Sequence, residues 1–555
     1  MASSSCDFVI AGGGTAGLVL ASRLTEDGSQ SVLVIEAGAD QSGNLQVKIP
    51  AFYAANFDGD ADWNFSTKAQ KDLHNRAVPL NQGRGLGGSS ILNAQIWGPP
   101  TKGISDSWAS LGNDGWNWDS LRHFHDMSYT YPSVPESSWK TLGLRSWPEQ
   151  KDSNPGPITT SFPNATHPIR VAWAETLAKL GYPMSKDPPV KDRENIHVLT
   201  NATAERVIFE EGSTKAIGLQ YRHNSSTTTV IARKEVIICS GAIQSPKLLE
   251  LSGIGNREIL AQHGIETIVD LCGVGEGLQD HLAVDIGFEA EALERGTLPQ
   301  DGSRMPFNEQ LPINLPSPSG HQQLRMLLEQ NRPKQDDLPD RELARASAFY
   351  RVAEKALLDP ASPSEVYRTS LGHNPFESDP VNGERTLNPL PGTYLTLVGI
   401  LAHPTSRGNV HIQSANASVA PVIDPKYLSN PVDIEVFAEH VLYLQSLASS
   451  PPLSGLLKQP LRPSRAISYM ADLEAAKEYI RIRAVSMWHP AGTCAMMPAE
   501  MGGVVDNHLR VHGVENLRVV DASVIPVLPP ANLQSAVYAV AERAACLIKS
   551  QYGLK

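Results

Sequence analysis

Apolar and polar positions alternate most legibly at the start of the chain. In CDFVIAGGGTAGLVLASRLTEDGSQSVLVIEAG (residues 6–38) a β-rich apolar run at 8–11 is followed by a cluster of glycines. Leu18, Leu20, Ala21 and Leu24 then mark a packed helix, and residues 32–35 are continuously apolar, as in a parallel strand covered on both faces. The pattern predicts a βαβ unit. KEVIICSGAIQSPKLLELSG (residues 234–253) predicts a buried strand over 236–239, a turn, and a helix capped by Ser245 with Pro246 in its first turn. Residues 394–410 are strand-like, and SNPVDIEVFAEHVLYLQSLASS predicts a helix with Asn430 as cap, Pro431 in its first turn and Asp433 near its start. NLRVVDASVIP (residues 516–526) reads as a strand closing on Asp521 and Ala522. Beyond Asn532, residues Leu533, Val537, Val540, Ala544, Leu547 and Ile548 follow helical spacing. Residues 290–345 are polar, proline-broken and rich in glutamine, which fits either a lid or a tolerated surface insertion. Trp108, Trp116 and Trp118, at mixed spacing, are expected to fill core rather than to form a substrate platform.

Composition narrows the class. A chain of 555 residues is long enough for two or more domains, or one interleaved pair. With 41% hydrophobic and 19% charged residues, 43 glycines and 41 prolines, it is a folded chain rich in turns. A net charge of −12 and the lack of a basic run with interleaved aromatics argue against nucleic acid as a partner. No apolar run reaches the roughly 20 residues needed to span a bilayer. The start MASSSCDFVIAGGG has no basic leader, so the chain as it stands reads as cytoplasmic. N-x-S/T triplets at Asn64, Asn164, Asn201, Asn224 and Asn416 suit a secreted chain whose leader had been removed, which keeps that alternative open. Five dispersed cysteines without a C-x-x-C pair encode neither a zinc site nor a disulfide framework, and no metal is expected.

Gly12, Gly14 and Gly17 form G-x-G-x-x-G at the first strand–helix junction. In that position the first glycine permits a tight turn, the second lets a pyrophosphate approach the backbone, and the third lets helix and strand pack closely. The helix start at Thr15 and Ala16 offers unpaired N–H groups to the anion. Glu36, followed by Ala37, ends the second strand, where a carboxylate accepts ribose hydroxyls and repels a 2′-phosphate. This favours FAD or NAD over NADP and does not separate the first two.

GRGLGGSSILN (residues 83–93) and SGAIQSPKLLELSGIG (residues 240–255) resemble the signature segments of the glucose-methanol-choline (GMC) flavin oxidoreductases. GVGEGLQDH, HPTSRGNV, WHPAGTCAM and NLRVVDASVIP follow in family order along nearly the whole chain. The resemblance implies FAD, and an α/β and α+β fold in which a Rossmann-like FAD-binding domain (1–154, 194–288 and 480–555) interleaves with a substrate domain on an antiparallel sheet (155–193 and 289–479). It places Gly87 and Gly88 beside the flavin and its phosphates, and Asn93, Ala94, Gln95 and Ile96 against the isoalloxazine. Adenine maps to Ala204, where the family usually has valine. Asp521 and Ala522 map to the ribitol and pyrophosphate. Leu533 and Gln534, opening the last helix, face the charge that gathers on reduced flavin. Ala37 and Trp488 complete the implied cofactor set. Ser240 and Gly241 serve equally as scaffold or as cofactor contact. Where covalently flavinylated members carry a histidine just before this asparagine, this chain has Leu92, so noncovalent FAD is expected.

Moving hydride from a carbinol carbon leaves a hydroxyl proton that needs a base, and the family's catalytic histidine falls at His489, one of 16 histidines. Its partner maps to Asn532, whose amide positions the oxygen unless the residue serves only as a helix N-cap. The implied activity is oxidation of a small-molecule alcohol or biosynthetic intermediate, with oxygen or a quinone-like compound as acceptor. The same histidine would equally serve a non-redox lyase or cyclase, and a flavin-binding protein without catalysis is a third class.

Overall fold

The structure, a computed structural model, describes residues 5–48, 50–98, 101–130, 156–159, 197–291, 307–313, 318–335, 338–360, 362–372, 376–378, 385–387, 391–459, 461, 470–530 and 532–554. The opening apolar runs form β1 (Ser5–Ala11), α1 (Thr15–Leu24) and β2 (Val32–Ile35), and β1 pairs in parallel with β2 from Phe8↔Val32 to Ala11↔Ile35. Phe8, Val9, Ile10 and Ala11 are all buried, because both faces of β1 are covered and no position on it meets water. Then come β3 (His197–Leu199), β4 (Ala202–Phe209), β5 (Ala216–His223) and β6 (Ser226–Ile238). The sheet order is β3-β2-β1-β6-β5-β4, and the strand Leu517–Val519 returns from the far end of the chain to pair in parallel with β6. The turn after β1 must be glycine: Gly12 has φ +110°, and a Cβ there would sit 2.4 Å from the Cys239 carbonyl oxygen.

The helix after β6 starts earlier than its sequence suggests. α2 (Gly241–Leu251) is led by Ser240, with Ser245 and Pro246 inside it. Both misplaced signals have tertiary uses. Ser245 donates to Asp521 at 2.6 Å. The Ala242 carbonyl, which Pro246 has no N–H to satisfy, accepts instead from the Thr493 hydroxyl at 2.6 Å.

The second sheet comprises β7 (Leu282–Glu289), β8 (Phe307–Ile313), β9 (Glu365–Leu371), β10 (Tyr394–Leu401) and β11 (Val485–Ser486), ordered β8-β9-β10-β7-β11 with every pairing antiparallel. β7 and β11 thus lie in this sheet, although they fall within the segments 194–288 and 480–555 expected in the first unit: the chain crosses between sheets just before Leu282, not after residue 288. Its two faces have different neighbours. Leu282, Val284, Ile286 and Phe288 pack with Phe437, Val441 and Leu444 of α3 (Pro431–Ala448), while Ala283, Val366, Val398 and Ile400 pack with Met487. Asn430 caps α3 as expected, accepting from Val432 N–H.

The glutamine-rich stretch contributes an edge strand, β8, and the helices Pro318–Gln330 and Asp340–Leu358. Leu324 and Leu328 are buried, an i, i+4 pair whose signal is swamped in the sequence by the polar residues around it. Trp108 and Trp116 are buried and donate from Nε1 to the Val527 and Asn507 carbonyls, so they are core, while Trp118 is only half-buried at a helix start. Among the described residues no helix is long and apolar enough to cross a membrane.

One ionic contact pins α2 to the strand Gly408–His411. His411 meets Glu250 at 2.7 Å and Glu276 at 3.1 Å, and Glu250 also accepts the Ile412 N–H. Burial opposes charge on the imidazole, but the two carboxylates outweigh it and hold its pKa up to about 9. A pKa raised in the folded state stabilises fully below the unfolded value near 6.5 and is lost as pH climbs through the folded value. Thermal stability should therefore fall between about pH 6.5 and 9, and His411→Asn should lower the melting temperature at pH 6 while flattening that pH dependence, as read by melting curves across the range.

Candidate active site

At the carboxyl ends of β1, β2 and β6 the chain opens a cleft. Two glycine segments meet there backbone to backbone: Gly87 N–H donates to Gly13 at 2.8 Å, and a Cβ on Gly88 would lie 2.7 Å from Gly14 Cα. Side chains are excluded from this crossing, which leaves amide N–H groups and the first turn of α1 to face an anion. Glu36 is buried, and its two oxygens accept from Gly13 and Gly38 N–H, each at 2.8 Å. Burial raises its pKa against those hydrogen bonds. Each oxygen keeps a lone pair for a hydroxyl.

The cleft is lined by Gly12, Gly14, Thr15, Ala16, Glu36, Ala37, Gly88, Asn93, Ala94, Ile96, Ala204, Ser240, Gly241, Trp488, His489, Asp521, Ala522, Asn532, Leu533 and Gln534. Of the residues expected there, Gly87 and Gln95 are not on its wall. Gly87 shapes the turn behind Gly88 at φ +106°, and Gln95 is exposed at φ +56° with its N–H on the Asn93 side chain. The Asp521 carboxylate is taken up by Gly241 N–H, Ser245 and Ser523 N–H at 2.6–2.9 Å, so it ties the returning strand to the Ser240–Gly241 turn. The residues present fit a dinucleotide: a side-chain-free cradle for phosphates, a carboxylate for ribose, and the start of the helix Gln534–Tyr552 opening into the same cleft.

The His489 segment gets its shape from a second motif. Gln279 and Ala491 exchange backbone hydrogen bonds at 2.9–3.0 Å, and Met487 N–H donates to the His281 carbonyl at 2.9 Å. Between these ties, residues 488–490 bow outward, with Trp488 at φ +59°, a left-handed conformation that a bulky residue adopts only under constraint. Asp280 supplies the constraint. It is buried and accepts from His489 N–H at 2.8 Å, from Ser486 at 2.5 Å and from the Tyr427 hydroxyl. Burial pushes its carboxyl up to about 6 despite these bonds.

The His489 ring is set by His281, with Nδ1 to Nδ1 at 2.9 Å and the rings nearly perpendicular. Burial drives both pKa values down, His489 to about 3 with a further push from Arg368, so both rings are uncharged at neutral pH. One Nδ1 must carry the shared proton, and the pair therefore controls His489's tautomer. Asn532 lines the same cleft. It is not the helix cap, a position that falls on Leu533. Asp280, His281 and Arg368 escaped the reading of the sequence. An adjacent Asp–His pair within the GVGEGLQDH motif was the available signal for the first two, and Arg368 carried none.

Comparison with known proteins places this geometry. Models described as GMC oxidoreductase match residues 6–188 and 185–283 and, for the C-terminal part, 404–541. The chain belongs to the GMC oxidoreductase family. It is 32% identical to GMC oxidoreductase family protein Mala s 12 of Malassezia sympodialis, over 98% of this chain and 92% of that one. Among solved structures it resembles an FAD-dependent oxidoreductase from Chaetomium thermophilum (TM-score 0.86, 26% identity, 99% of this chain and 100% of that one). It also resembles a fungal aryl-alcohol oxidase (TM-score 0.81, 26% identity, 99% and 100%). This GMC oxidoreductase is FAD-dependent, with the family's Rossmann-like unit and antiparallel roof.

In this member, Thr493 joins the His489 segment to the helix behind the cofactor cleft through the Ala242 carbonyl. Thr493→Val keeps shape but orphans that carbonyl. It should cost about 1–3 kcal/mol, read as a lower denaturant midpoint with unchanged slope.

Proposed function

We propose that the protein oxidises a small-molecule alcohol, His489 taking the hydroxyl proton while Asn532 holds the oxygen. The observation that carries this reading is that both side chains line the same cleft as the glycine cradle and Glu36. When bound, FAD supplies the acceptor for the hydride that leaves the carbinol carbon. Its pyrophosphate is assigned to the Gly12–Gly14 turn, Gly88 and the N–H groups of Thr15 and Ala16, its ribose to Glu36, and its adenine to the wall at Ala37 and Ala204. Its ring end is assigned to Asn93, Ala94, Ile96, Trp488 and the helix start at Leu533 and Gln534, with Ser240, Gly241 and Ala522 as backbone contacts between. The roof sheet then supplies the walls around the substrate.

An alcohol does not release its proton unaided near neutral pH. His489 is half-buried and uncharged there, so a ring lone pair is available. With Nδ1 engaged by His281, Nε2 is the nitrogen left to meet the substrate. Donation of Nδ1–H from His489 to His281 leaves Nε2 as a bare acceptor, the state a base requires. Asn532 exchanges no proton at this pH, but its amide donates to the substrate oxygen and aligns it with the base. Likeness to an aryl-alcohol oxidase supports both an alcohol as substrate and oxygen as acceptor.

His489→Ala should retain its flavin yet slow anaerobic flavin reduction by a reactive alcohol by about 10² or more. The alcohol comes from a screen of primary, aromatic and polyol compounds, with peroxide assayed on readmitting air and a product two hydrogens lighter than its substrate. Unchanged reduction in the variant removes His489 from this role. Leu92 is buried with Ala61 and Ile91 and offers no nucleophile. Acid precipitation should therefore release the yellow colour into the supernatant, whereas a pellet that stays yellow would indicate a covalent link.

A further inference from the structure

The roof sheet carries a cationic side chain that the reaction above does not use. In the register of β9, β10 and β7, Arg368 pairs with Val398 and Val398 with Asp285, so these three side chains form a row on one face. The adjacent row on that face, Val366, Ile400 and Ala283, packs with Met487, two residues before His489. Arg368 thus sits on the side of the sheet turned toward the catalytic segment, near enough to act electrostatically on His489. It is the only arginine or lysine in the five strands.

Its Nε is buried and has no hydrogen-bond partner. Asp285, beyond Val398, and Tyr53 act on the guanidinium only at longer range. Tyr53 packs edge-on against Phe57, and Phe57 packs against Trp488, so an aromatic wall adjoins the arginine. A buried guanidinium N–H without an acceptor is unfavourable, and the rigid fork of donors matches a carboxylate in two-point fashion. Asp285 in the same row repels an anion and confines it to the arginine's side of Val398.

We propose that Arg368 receives a carboxylate of the substrate, so that the compound oxidised carries a carboxylate on the roof side and its carbinol at His489 and Asn532. The carbinol half rests on the reading under Proposed function, and the carboxylate half does not. Arg368 is here a specificity-determining residue.

The test uses FAD-loaded protein and needs no turnover. Acetate, benzoate and the matching amides are titrated while the visible flavin bands are followed. At least one carboxylate should bind about 10- to 100-fold more tightly than its amide. Arg368→Gln should abolish that preference, and Arg368→Lys should keep part of it, since lysine retains charge without the fork. Flavin spectra and melting curves of both variants are read in parallel. If the glutamine variant fails to hold FAD, the wild-type preference and its graded loss in Arg368→Lys decide. Equal binding of acids and amides by wild type, or a preference that survives in the variants, overturns the proposal. Survival together with an altered pH profile of flavin reduction would instead assign Arg368 to keeping His489 uncharged. A protein that oxidises no alcohol yet prefers carboxylates would sink the alcohol reading alone, and the converse would sink this one alone.

Discussion

The site depends on one buried carboxylate. Asp280 lies within the segment Gln279–His281 and reaches across to the backbone of His489, the hydroxyl of Ser486 and the hydroxyl of Tyr427. A carboxylate removed from water is tolerable only when donors surround it, and three converging donors fix the path of each segment they belong to. One of these segments is the bulge that carries Trp488 and His489. Another follows the strand Val422–Asp424, and the third enters β11. Asp280 therefore gathers three separate segments around one point, and the left-handed turn at Trp488 is held by it.

On that frame the chemistry divides between charge and neutrality. The cleft keeps its anion-facing groups as backbone N–H, where glycine crossings leave no room for side chains. The His489 end of the cleft keeps two imidazoles uncharged by desolvation and in contact through a single shared proton. Elsewhere the fold uses full charge, as at His411 between Glu250 and Glu276, where two carboxylates overcome the same burial that neutralises His489. The difference lies in the partners: His489 faces another imidazole and a guanidinium, whereas His411 faces two carboxylates.

Much of this was legible in the chain. Continuous apolar runs announced β1 and β2, the glycine spacing announced the cradle, and the family resemblance implied that His489 and Asn532 stand beside the cofactor, in the cleft they line with Glu36. Signals that were misread had been borrowed for other purposes. Ser245 looks like a helix cap and is a partner of Asp521, and Pro246 looks like a helix start because its missing N–H is compensated 247 residues later by Thr493. Residues 290–345 read only as a lid or a surface insertion, because two buried leucines were outnumbered by polar neighbours. The boundary placed after residue 288 missed that β7 is an inner strand of the roof.

The sequence by itself determined what depends on local spacing: the βαβ start, the turn that only glycine satisfies, the acidic end of β2, and the residue types available for proton transfer. Tertiary structure alone decided what depends on distant segments meeting: that His281 touches His489, that Asp280 holds the bulge at Trp488, and that alternation along β9 turns Arg368 to the Met487 face and Tyr367 toward α3. The reason is physical. A hydrogen bond or a field acts through a few ångströms of space, and residues 208 positions apart, like His281 and His489, reach that range only once the whole chain has packed.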